Sequence, residues 1–321
     1  PDPGDTHPAQ GLVMRAFDDL IAMRRPLGPL RVRADWRSLA YLGLTTALLA
    51  WHWNLDAIHP GLVVLACVLT YGCGCIQHDQ AHLPMWSSPW LNALTEAWIQ
   101  ILRGDGVWSW VPTHVGNHHR YANRRGDLTL TWRCGRGNHL GTAILYTVCG
   151  CSLYGLAVLR HLGRTLRQRP AQALGILGLV ALHAAVLAYA IHLDAQRALL
   201  LIVLPQAVGI VAMIATGFCQ HHHTRTGSDW DHSRNFTGRL LNLVCFNHGF
   251  HTIHHADRRL HWSEWPAAHA RFRDRIDPAL NEASLGWYLL RTFVLAPLVP
   301  RWRSRDVGTI PIAAHLSGAN P

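Results

Sequence analysis

"AQALGILGLVALHAAVLAYAIHL" (residues 171–193) contains no charged side chain. A helix needs about 20 apolar residues to cross a bilayer, and this run supplies them. "DAQR" (194–197) turns the chain, and "ALLLIVLPQAVGIVAMIATGFCQ" (198–220) brings it back. An earlier pair repeats the pattern: "LAYLGLTTALLAWHWNLDAI" (39–58) and "GLVVLACVLTYGCGCIQ" (61–77), joined through "NLDAIHPG". Together these runs predict an all-α integral membrane protein with two transmembrane helical hairpins, about four spans, plus interfacial helices and a cytoplasmic histidine-rich helical cap.

The remaining apolar stretches are weaker. "GTAILYTVCGCSLYGLAVL" (141–159) is broken by glycines and reads as an interfacial or re-entrant helix, with a full span as the alternative. "WLNALTEAWIQIL" (90–102) reads as an interfacial helix, and "GLVMRAFDDLIAMRRP" (11–26) as an amphipathic one on a surface. "LGWYLLRTFVLAPLV" (285–299) carries an arginine mid-run and reads as a surface helix. The expected organisation is an N-terminal cytoplasmic segment (1–38), a membrane domain (39–270) and a cytoplasmic or interfacial C-terminal segment (271–321).

Composition agrees. The chain is 49% hydrophobic and only 15% charged, against roughly 25% charged in soluble domains. The net charge is +10 with histidine neutral. Arg24, Arg25, Arg31, Arg33 and Arg37 precede the first span; Arg160, Arg164, Arg167 and Arg169 precede the second hairpin. The two hairpin turns hold one arginine, Arg197. The positive-inside rule then puts the N-terminus, the histidine clusters and the C-terminal region in the cytoplasm. The arginines are spread over juxtamembrane positions and form no nucleic-acid-binding module. No cleavable signal peptide is expected. The eight cysteines form no CxxC pair and read as small buried hydrophobes.

Twenty-three histidines are the chemical signal. "HDQAH" gives His78 and His82. "HVGNHH" gives His114, His118 and His119. "NHGFHTIHH" gives His251, His254 and His255, and "QHHHT" gives His221, His222 and His223. Positions i, i+3 and i+4 share one helical face, so each cluster can aim imidazoles at one point. That is too many ligands for one ion and suits two ions with four or five nitrogens each. Imidazole binds Zn, Cu, Fe and Ni alike, so ligand type leaves the metal open. Scattered residues such as His52 and His183 read as packed side chains.

The order HxxxH, HxxxHH, HxxHH, with hairpins before the first box and between the second and third, resembles the membrane fatty acid desaturase and hydroxylase family. Residues 231–269 are similar to its bacterial branch throughout. The resemblance implies a di-iron centre with two iron ions held by His78, His82, His114, His118, His119, His251, His254 and His255. It adds a histidine at the end of the last span, which His221 matches best among His221, His222 and His223. The family motif usually has an Asn four residues earlier; here Gly217 stands there, with Asn247 as a candidate substitute. The implied activity is O₂-dependent desaturation of a fatty acyl chain on a lipid, CoA or acyl carrier protein. Hydroxylation of a lipid or small aliphatic substrate is the alternative, and a metal transporter a remote one.

Around these ligands Asp79, Asn117, Asn247 and His223 are candidate orienting residues, with solvated loop positions as the competing reading. Arg120, Arg124 and Arg125 could contact a headgroup or phosphorylated carrier, or simply form a basic loop. The tryptophans beside the boxes read as an interfacial belt. "HPGL" (59–62) has no room around it for a haem domain. Electrons should come from a separate donor of ferredoxin, rubredoxin or cytochrome b5 type with its reductase.

Overall fold

The structure is a computed structural model and describes residues 17–22 and 24–308. The helices that position the site are α1 (Trp36–Trp53), α2 (Pro60–His82), α3 (Pro89–Arg103), α4 (Leu140–Gln168), α5 (Pro170–Leu193), α6 (Ala195–His221), α7 (Arg239–Val244), α8 (His251–Ala256), α9 (Trp265–Phe272) and α10 (Leu285–Leu295). The strands described are a two-residue parallel pair, Asn235–Phe236 with Asn281–Glu282. This is an all-α membrane protein. Of the helix expected over 11–26, Asp18–Ala22 is helical; residues 11–16 and 23 lie outside the described residues, as do 1–10 and 309–321.

Proline starts α2, α3 and α5 within their first turn, where its missing N–H costs nothing. Arg197 ties the two hairpin turns together by donating to the carbonyls of His52, Trp53 and Asp56. All four hairpin helices therefore share one end at these turns. At the other end lie His78 and His82 of α2 and His221 of α6, so this is the histidine end.

Four helices are long and apolar enough to cross a membrane: α2, α4, α5 and α6. Chain path decides how α4 is used. Its start is tied to the histidine end, because Asn138 accepts from Ser304 N and Arg136 O from His223. α5 finishes at the opposite end, beside Arg197. Two complete crossings in series would return the chain to the end it left, so only one of the two crosses. α5 is uncharged throughout, whereas α4 carries Arg160, Arg164 and Arg167 in its last turns. In length and apolar character α4 matches the full-span alternative for 141–159. α1 has only 18 residues, about 27 Å, and completes the first hairpin.

The stretch 90–102 departs from expectation. It does not lie flat at the interface. α3 enters the bundle from the histidine end and buries Thr95, Ile99, Gln100, Leu102 and Arg103, while Trp90 and Leu94 stay exposed. Its amphipathic face packs on other helices, and that burial outweighs interfacial placement. Gly104 (φ +79°) reverses the chain, and a π-helix over Val111–His118 climbs back. Arg103, 1% exposed, sits between α2 and α6, where the backbones come close at two glycines. A Cβ at Gly209 would collide with Arg103 Nη1, and one at Gly74 would lie 3.1 Å from its Cζ. Arg103 donates to Gln77 Oε1 and to the carbonyl of Thr70.

The segment after α6 folds over the histidine end. Phe246, Ile253, Trp262 and Trp265 share a core with Ile76, Met85 and Ile99. α10 runs along the surface as expected, burying Tyr288 and Phe293 against Phe218 and Phe236.

Gly209→Val forces a branched side chain against the Arg103 guanidinium. Overpacking of this kind costs about 1–3 kcal/mol, so the apparent Tm in detergent should fall; an unchanged Tm would show that Arg103 does not need the glycine gap.

Candidate metal centre

The nine histidines converge as two groups at the ends of α2 and α6. His78, His82, His114, His119 and His254 form one; His118, His221, His251 and His255 form the other. In the second group the Nε2 atoms close a four-membered ring: His118 to His221 3.1 Å, His221 to His251 2.9 Å, His251 to His255 3.1 Å and His255 to His118 3.1 Å. The first contains a similar ring: His78 to His114 2.8 Å, His114 to His119 2.9 Å, His119 to His254 3.0 Å and His254 to His78 3.1 Å. His82 joins as a fifth ring, its Nε2 buried without a hydrogen-bond partner. A flat square of about 3.0 Å edge has corners about 2.1 Å from its centre, the usual imidazole–metal length. Tetrahedral ligands at that length stand about 3.4 Å apart, so the spacing fits an ion of higher coordination number than structural zinc.

Local helix geometry sorts the histidines. The i, i+4 rule pairs His114 with His118 on one face. The π-helix changes this, because its repeat is i, i+5: His114 faces His119, and His118 turns to the second group. α8 is likewise split. His251 and His255 serve the second group and His254 the first, so its histidines do not share one target as their spacing suggests. His78 and His82 keep the expected i, i+4 pairing.

Outer partners hold the rings with Nε2 inward. His78 Nδ1 lies 3.2 Å from Asp79, whose Oδ1 also takes His248 Nε2 at 3.1 Å. His118 Nδ1 lies 2.9 Å from Asp127 Oδ2 and 2.8 Å from Thr129 Oγ1. His221 Nδ1 donates to the carbonyl of His232. With Nδ1 protonated against these acceptors, the Nε2 lone pair is free for a ligand. Trp110 packs on His78 and His114, and Trp265 on His254 and His248.

Of the other residues singled out in the sequence, Asp79 reaches a ring. Asn117 bonds Gly126 O and Leu128 N and braces a loop. Asn247 bonds Trp262 O. His223 bonds Arg136 O, and its neighbour His222 packs on Phe218, so within the triplet only His221 joins a group. Arg120, Arg124 and Arg125 are exposed; Arg124 caps Tyr121 O and Arg120 O. Asp127, Thr129 and His248 escaped the sequence reading, and His232 reads there as one of the scattered packed side chains. Asp127 and Thr129 stand beyond the second box with no spacing rule, though "NHGFHTIHH" did offer His248.

Burial, and then the neighbouring imidazoles, depress the pKa of His114, His119, His251, His254 and His255 well below the ordinary value. They stay neutral and ligand-competent at physiological pH. Burial alone would raise the Asp127 carboxyl, but the His118 imidazole and the hydrogen bonds of His118, Thr129 and Asn123 N hold it well below the usual carboxylate range.

Beneath the rings lies a cavity of about 120 Å³. His78, His114, His118, His221 and His251 form its metal-side wall, and Ile210, Met213, Ile214 and Gly217 of α6 and Tyr146, Gly150 and Tyr154 of α4 line its sides. Gly217 has no atom within 4 Å of a Cβ position, so it leaves open space beside the second group.

Compared with known protein families, residues 56–287, well over half of the chain, match the family described as fatty acid desaturase. No curated protein matches the chain.

Two outcomes follow from the site. The histidines bind protons less readily folded than unfolded, where their pKa is about 6.5. Stability of the metal-free protein is therefore complete above about pH 6.5 and falls as pH drops toward the depressed folded values; thermal scans at about pH 7.5 and about pH 5.5 check the sign. Asp127→Ala removes the acceptor from His118 and should weaken metal binding by about 10–100-fold, read by competition with a chelator.

Proposed function

The chain belongs to the fatty acid desaturase family, and from that premise we propose that it is an O₂-dependent oxidoreductase that introduces a double bond into a fatty acyl chain, with two iron ions held by the nine histidines. The observation that carries this is the pair of Nε2 rings with edges of 2.8–3.1 Å standing over an apolar-walled cavity. Bound iron would supply the oxidising power toward an unactivated methylene that no side chain has.

The chain's own residues do the rest. His78, His82, His114, His119 and His254 would hold one ion, and His118, His221, His251 and His255 the other. The five-to-four division leaves the second group the more open, and it is this group that has Gly217 beside it. Asp79, Asp127 and the His232 carbonyl fix ring orientation. Ile210, Met213, Ile214 and Tyr146 exclude water and hold a methylene chain under the rings. The same cavity would serve hydroxylation, and the product distinguishes the two.

The acyl chain would be carried on a lipid, CoA or acyl carrier protein, and electrons would arrive from a separate ferredoxin, rubredoxin or cytochrome b5 type donor. Arginine crowding at the histidine end, against Arg197 alone at the two hairpin turns, supports a cytoplasmic active site. A transporter would carry its ligands near the bilayer midplane, whereas these stand where α2 and α6 end.

Purified protein supplied with reductant, electron carrier and O₂ should hold near two irons per chain and give a product two hydrogens lighter. Gain of an oxygen atom would instead assign hydroxylation. His254→Ala should lower iron content and reduce turnover by at least about 100-fold; zinc in place of iron with no O₂ consumed would overturn the oxidoreductase reading.

A further inference from the structure

The first histidine group depends on an outer partner that the second does not need. Asp127, which faces His118, is fixed by its own loop: Asn123 N, Thr129 N and Thr129 Oγ1 donate to it at 2.7–2.8 Å. Asp79, which faces His78, has no such support. Its Oδ2 has no hydrogen-bond donor among the described residues. Its Oδ1 accepts from two imidazoles, His78 Nδ1 at 3.2 Å and His248 Nε2 at 3.1 Å. Asp79 and His78 are neighbours on α2 and move together. Among the described residues, His248 is therefore the one donor that ties this carboxylate to another part of the fold, 169 residues along the chain.

The backbone before His248 is unusual. Phe246 (φ +49°) and Asn247 (φ +61°) both sit in the left-handed region without being glycine. A bulky residue keeps that conformation only where its surroundings over-determine it. Phe246 is fully buried and packs edge-on against Tyr41 and Trp262, and Asn247 donates to Trp262 O. Gln220 Nε2 of α6 holds the His248 carbonyl at 2.9 Å. The His248 ring stands edge-on to His78 and Trp265, with centroids 4.7 and 5.2 Å away. It joins neither of the two histidine groups; with His78 and Asp79 it makes a separate outer one. An ionised carboxylate only accepts, so both imidazoles donate to it. His78 then carries its proton on Nδ1 and keeps the Nε2 lone pair.

We infer that His248 is the positioning residue of the first ion: its N–H pins the Asp79 carboxylate, and the pinned carboxylate holds the His78 ring with Nε2 toward the other histidines of its group. This rests on the histidine groups being metal sites, not on the reaction performed there. Without the His248 donor, Asp79 is free to rotate about its side-chain bonds, and His78 loses the contact that fixes its ring. The second group, braced through Asp127, keeps its own anchor. The two sites therefore differ in what sets their affinity.

The test uses the full chain in detergent, loaded anaerobically with Fe(II) alone, and follows iron per chain as a chelator is titrated in. His251→Ala, in the second group, leaves the first ion as the tightly held one; His254→Ala, in the first group, leaves the second. In the His251→Ala background, His248→Ala should weaken the remaining ion by about 10–100-fold. His248→Gln, which keeps a side-chain N–H donor, should recover most of that loss. In the His254→Ala background, His248→Ala should leave the remaining ion unchanged. The paired variants isolate the coupling between His248 and one site, whereas general loosening of the fold would weaken both backgrounds alike. Equal losses in the two backgrounds, no loss in the first, or Ala and Gln variants that behave identically overturns the inference. Three irons per parent chain would make His248 a ligand and overturn it too. O₂ uptake on the same samples, with reductant and electron carrier, separates the two readings: selective loss of iron in a chain that consumes no O₂ would remove the oxidoreductase and leave His248 as a positioning residue.

Discussion

Everything at the histidine end answers to one constraint: eight imidazole nitrogens close two rings with edges of about 3 Å, and His82 stands beside the first as a ninth. Lone pairs that converge in this way repel, and burial removes the water that would otherwise separate them. The arrangement suits cations, with each Nε2 offering a lone pair and, in His78, His118 and His221, the opposite nitrogen anchored. Asp79 of α2, Asp127 and Thr129 of the loop before α4, and the His232 carbonyl of the segment after α6 provide that anchoring. Metal binding would thus be coupled to the packing of this end, since histidines drawn from α2, the π-helix, α6 and α8 come together only when all four segments are in place.

The membrane part provides rigidity for this assembly. α2 and α6 each deliver histidines from their last turn, so the relative height of these two helices sets the distance between the rings. Arg103 fixes that height by sitting between Gly74 and Gly209 and bonding the backbone of α2. A charged side chain in this position is costly unless fully engaged, and Gln77, Thr70 and Asp105 engage it. The hairpin that carries Arg103 also carries His114, His118 and His119, so one re-entrant segment both braces the bundle and brings three histidines to the two groups. Its π-helical return divides those three between the rings.

The histidine clusters and the membrane class were legible in the sequence because both are written locally. An uncharged run such as 171–193 has few fates other than a span, and histidines three to five positions apart face a common region. All nine of the histidines named from their boxes stand in the two groups of the structure. What was not legible depended on partners far along the chain. Asp127 reaches His118 through a loop with no periodic pattern. The stretch 90–102 has the composition of an interfacial helix, and only its contacts with α2 and α6 reveal that it dips inward. α4 has the length and apolar character of a span, and only the tertiary structure shows that its start is tied to the histidine end.

By itself, then, the sequence determined which segments seek the bilayer and which side chains can bind metal, since hydropathy and imidazole spacing are properties of short stretches. The tertiary structure alone decided how the histidines divide between two rings. A π-turn and a shared helix redirect neighbours such as His118, His254 and His255 by changing the angle between successive side chains, and only packing fixes that angle. It also decided what lies under the rings: a cavity whose far end is Asp105, brought there by a chain reversal at Gly104 that no local pattern announced.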